Sequence, residues 1–377
     1  MIRRPPSFWF GCLVLGLLLL ARPALARVSL LLVPGHDLAN SGAVFRGVKE
    51  AELNLELAGA LFERLNRDSD FLVYSARDFG TGDYNFGLVR YFSEAANEVA
   101  RFRTEQRETF QAALATGVIK RIDSPPHNFA SESVGYILHA MNKWANDQKI
   151  DAVLHFHFND YPGHAAGAPG RYQGLAIYVP ERQFGNASSS RALAESLFAP
   201  LNQVTATSTF GSEATGVVDD QDLIAIGPNN SRQGRSLLVE YGYIYEPPIT
   251  APATRTLWLG ELAFQTYRGL RQHFFPTAAA TKSLPATTLL PYQFNHDLKR
   301  GAEPAPAGGE VLRLQRALQL ENLYPPRAKN LVDCPLTGIF GDCTFAAVRA
   351  FQAKHQLPAT GLVGPLTRGK LNALYGQ

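Results

Sequence analysis

The sequence is poor in cysteine, with only three among 377 residues. Cys12 lies in an N-terminal apolar run, which leaves Cys334 and Cys343 in a segment rich in turn-forming residues. In an oxidising compartment this pair predicts a disulfide, with two free buried thiols as the alternative. A zinc site at the pair is disfavoured, because only His355 is near in sequence and there is no second cysteine pair.

An excess of charge is also missing. The formal net charge is +3, but Arg3, Arg4 and Arg22 belong to an N-terminal segment without any acidic residue. Without these three arginines, 33 basic residues balance 33 acidic ones. A neutral chain gives no electrostatic case for a nucleic acid as partner.

Several common motifs are absent as well. The sequence has no Walker phosphate loop, no Gly-x-Gly-x-x-Gly fingerprint, no Gly-x-Ser-x-Gly elbow and no His-Glu-x-x-His. Their absence removes the most direct evidence for a nucleotide-binding protein, a serine hydrolase or a zincin.

The first 26 residues have the three parts of a secretory signal peptide. Arg3 and Arg4 precede an apolar run at 8–21, and Ala24-Leu25-Ala26 is a small-residue cleavage signal. A membrane anchor is the competing interpretation, but the run is shorter than the roughly 18–20 residues that span a bilayer. We therefore expect cleavage after Ala26, no stable membrane span in the mature chain, and a location in the periplasm, the cell wall or the extracellular space.

The rest of the chain has a globular composition, with 46% hydrophobic and 18% charged residues, and its length favours two domains. Helical patterns are predicted at 50–65, 94–114, 131–147, 189–198 and 256–274. They alternate with strand candidates at 28–33, 71–74, 152–158, 175–179, 223–226 and 237–239. This alternation predicts an α/β domain over 27–275, in which helices flank a central, mostly parallel sheet.

Residues 276–308 are rich in alanine, threonine and proline and are predicted to be a linker, although the more apolar stretch 284–294 also suits packing on a domain.

A small helical domain is predicted over 309–377. The sequence Thr-Gly-Ile-Phe-Gly at 337–341 recurs as Thr-Gly-Leu-Val-Gly at 360–364, and Thr344 and Thr367 follow at the same offset. We expect a glycine turn, an inward-facing hydrophobic pair and a threonine that caps the next helix. The inner faces of these helices are assigned to Val348, Phe351, Leu371 and Leu374.

Candidate site residues lie at the ends of predicted elements. His36 follows the first strand, where a parallel sheet presents its loops to a ligand. Glu50 opens the first helix on its core-facing stripe, where a carboxylate needs a cation or a metal; a helix-capping glutamate is the alternative. His155 and His157 share one face of a buried strand and suit metal ligation or simple hydrogen bonding in the core. Glu240 ends another apolar strand, where a solvated glutamate is not expected.

Five short motifs occur in the order of a known family: Pro34-Gly35-His36, Ser41-Gly42-Ala43, Gly47-Val48-Lys49-Glu50, His157-Phe158-Asn159 and Val239-Glu240-Tyr241-Gly242. Together they resemble the zinc-dependent N-acetylmuramoyl-L-alanine amidases of the cell-division and sporulation type, over about residues 28–272. The resemblance implies Zn²⁺ bound by His36, Glu50 and His157, with Glu240 as the catalytic base and acid. It also selects His157 over His155, because the family's histidine precedes an asparagine by two residues, and it makes Asn159 a candidate substrate contact.

The stretch 79–149 is longer than the core of this family needs. It contains a group of aromatic residues, namely Tyr84, Phe86, Tyr91, Phe92, Phe102 and Phe110. Two interpretations stay open: a cap or regulatory helix over the cleft, or the core of an added helical pair.

The C-terminal segment is similar to the three-helix peptidoglycan-binding domain, through Val311 to Gln315, the glycine turns, Thr344 and Phe351-Gln352. The two resemblances together imply an exported enzyme that binds peptidoglycan and hydrolyses the amide between N-acetylmuramic acid and L-alanine. A non-catalytic wall-binding scaffold and a zinc peptidase acting within the stem peptide are the alternatives. An activator protein is left open as a further partner.

Overall fold

The computed structural model describes residues 27–37, 39–125, 130–161, 164–277, 284–301 and 308–377. The predicted signal peptide, residues 1–26, lies outside the described residues.

The centre of the N-terminal domain is a six-stranded sheet. Its strands are β1 (Val28–Pro34), β4 (Phe71–Ser75), β5 (Ala152–Asn159), β6 (Ala176–Pro180), β7 (Val217–Asp220) and β8 (Arg235–Tyr243). They lie in the order β4-β1-β5-β8-β6-β7, and the first four run parallel to one another. β6 is antiparallel to β8 and parallel to β7. A hairpin of β2 (Val44–Phe45) and β3 (Val48–Lys49) stands apart. The predicted mostly parallel sheet is confirmed.

In the described part of this domain the helices are α1 (Glu50–Asn66), α2 (Phe86–Glu94), α3 (Ala96–Ala115), α4 (Glu132–Asp147), α5 (Ala187–Leu201), α6 (Pro247–Thr250) and α7 (Pro252–Phe274). The alternation along β1 explains the two layers. Leu30 and Leu32 are buried in one core with α1, α5 and α7, whereas Leu31 and Val33 pack on the opposite face with Met141 of α4. Both faces of the strand are therefore apolar, as expected for a parallel sheet covered by helices.

The boundaries differ from the sequence prediction in three places. Residues 223–226 were expected to be a strand, but Ile224–Ile226 is a 3₁₀ turn that ends at the left-handed Gly227. A short apolar run cannot be assigned to strand or helix by periodicity alone, and here Asn142 of α4 holds the turn through the carbonyl of Ile224 (2.9 Å). The helix predicted over 94–114 is α3, and a further helix that was not predicted, α2, precedes it and meets it at Ala95. The short strand β7 was not predicted.

The C-terminal domain contains α8 (Gly308–Leu320), α9 (Asp342–Lys354) and α10 (Pro365–Tyr375). Cys334 and Cys343 form a disulfide that closes the loop before α9. The apolar part of the stretch before α8 packs as anticipated, since Leu289, Leu290 and Phe294 are buried.

The two domains touch where α7 lies beside the start of α8, and the segment between these helices also contacts α8. Arg316 of α8 donates a hydrogen bond to the carbonyl of Ala286 (2.9 Å). Farther along the contact, Gln173 of the N-terminal domain donates to the carbonyl of Val332 (2.7 Å). Residues 284–301 and the C-terminal domain therefore lie against the N-terminal domain.

The internal repeat of the C-terminal domain is organised by two buried glutamines. Gln315 accepts hydrogen bonds from the backbone of Thr337 and Gly338 and donates to Thr344. Gln352 repeats this arrangement at the second turn, where it accepts from Gly361 and donates to Thr367. The repeat in the sequence thus reflects a repeated glutamine-bound glycine turn.

Three details of the repeat prediction were wrong. Only one residue of each hydrophobic pair is buried, because Ile339 and Leu362 are 44% and 41% exposed. Neither threonine caps a helix, since the N-caps are Gly341 and Gly364 and have no side-chain cap; the hydroxyls bond the glutamines instead. Leu374, expected on an inner face, is 44% exposed.

Candidate active site

The candidate residues converge at the carboxyl ends of β1, β5 and β8. His36 follows β1, Glu50 is the first residue of α1, His157 lies near the end of β5, and Glu240 lies on β8. Parallel strands bring their carboxyl ends to one edge of the sheet, so that residues far apart in sequence meet there.

His36, Glu50 and His157 form a tight cluster. One carboxylate oxygen of Glu50 lies 3.1 Å from Nε2 of His36, and the other lies 2.9 Å from Nδ1 of His157. One ligand atom from each residue lies within 4.8 Å of the others, and among the described residues this is the one such group of three. Two imidazoles and one carboxylate are a donor set that suits a catalytic zinc ion.

Glu50 is held in place by backbone and side-chain donors. The backbone amides of Ala43 and Phe158 donate to its two oxygens (3.0 and 3.3 Å), and the amide group of Asn54 reaches it at 3.4 Å. Burial favours the neutral carboxyl group, but the hydrogen bonds and charges of His157 and His36 outweigh it and hold the pKa of Glu50 well below its usual range. Glu50 is therefore a buried anion that faces two histidines.

The backbone at His36 has an unusual conformation. Its φ is 62°, in the left-handed region that non-glycine residues rarely adopt. The carbonyl of His36 accepts a hydrogen bond from the guanidinium of Arg77, a side chain that is 1% exposed. Arg77 thus anchors the turn that aims His36 at Glu50.

Glu240 lies beside the cluster. It is the register partner of His157 on the adjacent strand, and its Oε2 is buried without a hydrogen-bond partner among the described residues. Burial raises the pKa of Glu240 well above its usual range, and the charges of Glu50 and Glu213 raise it further. The carboxyl group of Glu240 is therefore easier to protonate than that of an exposed glutamate.

The two histidines of β5 differ in their surroundings. Phe156 and Phe158 point into the core on the α1 side, so the predicted alternation along the strand is confirmed. His155 lies deeper than His157 and is 2% exposed; burial and the nearby His157 lower the pKa of His155 to about 3. His157 is in the cluster with Glu50, whereas His155 is not.

His36, Glu50, His157 and Glu240 line a cleft of about 760 Å³. Asn159, the predicted substrate contact, lies on its wall and donates to Glu213 (2.9 Å). Glu213 is 1% exposed and also accepts hydrogen bonds from the hydroxyl groups of Tyr178, Ser208 and Tyr243.

Glu213 and Arg77 support the site, and the sequence patterns predict a role for neither. Glu213 lies in a 3₁₀ turn (Gly211–Glu213) and no periodic pattern marks it, while the contact of Arg77 depends on the path of the loop after β4. The one feature of the sequence near Glu213 is the apolar pair Val217-Val218, which begins strand β7. The sequence prediction did not include this strand.

The added stretch 79–149 contributes both core and cleft rim. Phe110 is buried and its ring packs against Phe184, with centroids 5.9 Å apart, whereas Phe86 is 78% exposed. After α3 the chain is held by Gln221, whose backbone amide donates to Ser124, and Pro125 lines the cleft. Residues 126–129, which follow, lie outside the described residues.

Two family models match the chain. Residues 30–272 match the model described as N-acetylmuramoyl-L-alanine amidase, and residues 307–371 match the putative peptidoglycan binding domain. No curated protein matches the chain.

Solved structures give distant likenesses. An N-acetylmuramoyl-L-alanine amidase from Clostridium difficile 630 is 14% identical, with 67% of this chain and 98% of that chain covered and a TM-score of 0.41. The CwlD amidase from Clostridioides difficile, in complex with the GerS lipoprotein, is 15% identical, with 66% and 98% covered and a TM-score of 0.42. Ami1 from Mycobacterium smegmatis is 14% identical, with 65% and 96% covered and a TM-score of 0.42.

The family model spans most of the chain and includes His36, Glu50, His157 and Glu240. The chain therefore belongs to the N-acetylmuramoyl-L-alanine amidase family. It is an enzyme that hydrolyses the amide bond between N-acetylmuramic acid and L-alanine in peptidoglycan, and it carries a peptidoglycan-binding domain. In the part of the chain that the structure describes, no helix has the length and apolar character needed to cross a membrane.

Proposed function

We propose that this amidase uses a zinc ion held by His36, Glu50 and His157. The support is the convergence of two imidazole nitrogens and a buried carboxylate within 4.8 Å. Three protein ligands leave a further coordination position open, as catalytic zinc sites require. Zinc, when bound, supplies Lewis acidity that polarises the scissile carbonyl and makes water a better nucleophile near neutral pH.

Glu240 acts as the general base and acid. Its buried, unpartnered Oε2 beside His157 is available to accept the proton of the attacking water. The same carboxyl group then returns that proton to the leaving amine of L-alanine. Its raised pKa suits this cycle, because a more basic carboxylate is a better proton acceptor and the proton it takes up is the one the leaving amine needs.

The C-terminal domain holds the enzyme on its substrate. The proposal divides the mature chain into a catalytic domain at 27–275, a connecting segment at 276–308 and a wall-binding domain at 309–377; the family matches at 30–272 and 307–371 support this division. Attachment to peptidoglycan raises the local concentration of cleavable bonds. A protein with this substrate works outside the cytoplasm, which agrees with the predicted signal peptide.

Metal analysis tests the ligand set. Purified protein is expected to hold one zinc ion per chain, and His36→Ala or His157→Ala is expected to lower zinc binding by at least tenfold. His296→Ala is the matched control, because this side chain is 67% exposed and bonds only Glu310 among the described residues. Wild-type zinc content in His36→Ala and His157→Ala would overturn the assignment.

A further inference from the structure

Three aromatic rings cluster beside the catalytic residues. The rings of Tyr161 and Phe210 have centroids 4.0 Å apart, and Tyr172 lies 5.2 Å from the first and 5.1 Å from the second. All three side chains are partly exposed, and Tyr161 and Phe210 line the same cleft as His36 and Glu240. The mechanism above assigns no role to this cluster.

The cluster lies directly beside the sheet and a 3₁₀ turn. Tyr161 follows β5 by two residues, and Phe210 directly precedes the turn Gly211–Glu213. Behind the cluster, the ring of the buried Tyr243 lies 6.2 Å from that of Tyr172. A partly exposed aromatic face fixed from behind is a preformed apolar surface for a ligand.

Glu213 determines which atom Asn159 offers to the cleft. A carboxylate only accepts hydrogen bonds, so the group of Asn159 that faces Glu213 at 2.9 Å is its NH₂. The side-chain oxygen of Asn159 accepts no hydrogen bond from the described residues. At Asn159 the cleft wall therefore presents a hydrogen-bond acceptor that suits a substrate N–H group.

Charge distinguishes the two halves of the substrate. The stem peptide carries carboxylates, whereas an N-acetylhexosamine ring is neutral and has an apolar face of C–H groups. The cleft wall carries the carboxyl groups of Asp160 and Glu213, and that of Asp160 is paired with His164 (2.9 Å). The guanidinium of Arg171 lies over the ring of Tyr172, but no lysine or arginine is among the described residues that line the cleft. A peptide carboxylate therefore finds no such partner on the cleft wall, whereas a neutral sugar ring needs none.

We propose that Tyr161, Phe210 and Tyr172 form a sugar subsite, which binds an N-acetylhexosamine ring of the glycan strand next to the scissile bond. Asn159, oriented by Glu213, accepts the acetamido N–H of this ring. The inference rests on the amidase function and assigns the glycan side of the substrate to one end of the cleft.

Binding to zinc-loaded Glu240→Gln protein tests the subsite without turnover. Isothermal titration calorimetry would compare a disaccharide tetrapeptide from peptidoglycan with the N-lactoyl tetrapeptide that lacks both sugars. In this background, Phe210→Ala is expected to weaken binding of the disaccharide tetrapeptide about tenfold and to leave binding of the lactoyl tetrapeptide unchanged. Phe210→Tyr keeps the ring and is expected to bind both probes like the parent.

Phe86→Ala is the matched control, because Phe86 is 78% exposed on α2 and does not line the cleft. Equal weakening for both probes, or no weakening for either, would overturn the sugar subsite. Failure of the proposed mechanism has a different signature, namely cleavage of the disaccharide tetrapeptide by Glu240→Gln. If Phe210→Ala does not fold, Tyr161→Leu answers the same question, since it removes the other ring that lines the cleft.

Discussion

His157 and Glu240 are register partners on the adjacent parallel strands β5 and β8. Residues at matched positions of parallel strands point to the same side of the sheet, so the proposed metal ligand and the proposed base share one face. The distance between them is therefore set by the sheet, the most rigid part of the domain. A loop-borne base would not have this advantage.

Glu240→Gln tests whether Glu240 is the base while His157 is a metal ligand. The amide cannot accept the water proton, and we expect turnover on peptidoglycan to fall by about 10²–10⁴-fold. Zinc content should be unchanged, because Glu240 is not one of the three clustered ligands. Activity and zinc content, measured on the same preparation, check this. Loss of zinc in the variant would mean that Glu240 is a ligand.

Gly42 is expected to be essential for the cluster. An added Cβ would lie 2.4 Å from Oε2 of Glu50 and 2.6 Å from the ring of His36, so Gly42→Ala should displace both side chains and abolish zinc binding. Gly47→Ala is the matched control. Both glycines have positive φ, but no described atom lies within 4 Å of a Cβ at Gly47.

The control should therefore lose only about 1–2 kcal/mol of stability through the backbone strain, and it should keep its zinc. Zinc titration of the two variants separates the effects. Equal zinc affinity in both variants would contradict the packing of the cluster against Gly42.

The parts of the site that could be predicted are those whose position follows from strand and helix ends. His36 and Glu50 stand at such ends, and His157 and Glu240 lie in the carboxyl-terminal halves of β5 and β8. Each is a residue type that is costly to bury without a partner. Glu213 and Arg77 could not be predicted in this way. Their roles depend on where a loop returns in space, and a local pattern does not contain that information.

The repeat of the C-terminal domain shows the same limit. The sequence revealed that the turns at 337–341 and 360–364 are equivalent, but it did not reveal their partners. We expected Thr344 to cap a helix, a local interaction. In the structure, Gln315 from the preceding helix binds both the turn and this threonine. The hydroxyl of Thr344 thus bonds a glutamine distant in sequence and does not cap its own helix.

Gln352→Met should therefore destabilise the C-terminal domain. The variant keeps the size of the side chain but leaves the amide of Gly361, the carbonyl of Leu362 and the hydroxyl of Thr367 without their partner. We expect the free energy of unfolding of this domain to fall by about 2–4 kcal/mol, measured by urea denaturation. Gln111→Met makes the same chemical change at an exposed position of α3 and should cost less than about 0.5 kcal/mol. Similar losses in both variants would refute the role of Gln352.

Stability should depend on the titration of His139. Burial lowers the pKa of this histidine below its ordinary value of 6.5, and the positive charges of Arg103 and Arg107 lower it further, against the hydrogen bond to the Gly135 carbonyl. Below about pH 6.5 the unfolded chain binds a proton at this residue that the folded chain does not. Stability is therefore lost as the pH falls from about 6.5 toward the lower folded pKa, at up to about 1.4 kcal/mol per pH unit.

Urea denaturation at pH 7.5, 6.0 and 5.0 measures this slope. His139→Gln should lose less stability than the wild type over the same range, whatever its stability at pH 7.5. If the free energy of unfolding fell equally with pH in the two proteins, His139 would not contribute to the pH dependence.

The most direct test of the account is to identify the bond that is cut and the metal that is needed. Protein beginning at Arg27 would be incubated with isolated peptidoglycan after chelation, with and without zinc, and the released peptides would be identified by mass spectrometry. We predict intact stem peptides that begin with L-alanine, released only when zinc is restored. Release of peptides with other amino termini, or equal release in the presence of chelator, would contradict the zinc amidase mechanism proposed for His36, Glu50, His157 and Glu240.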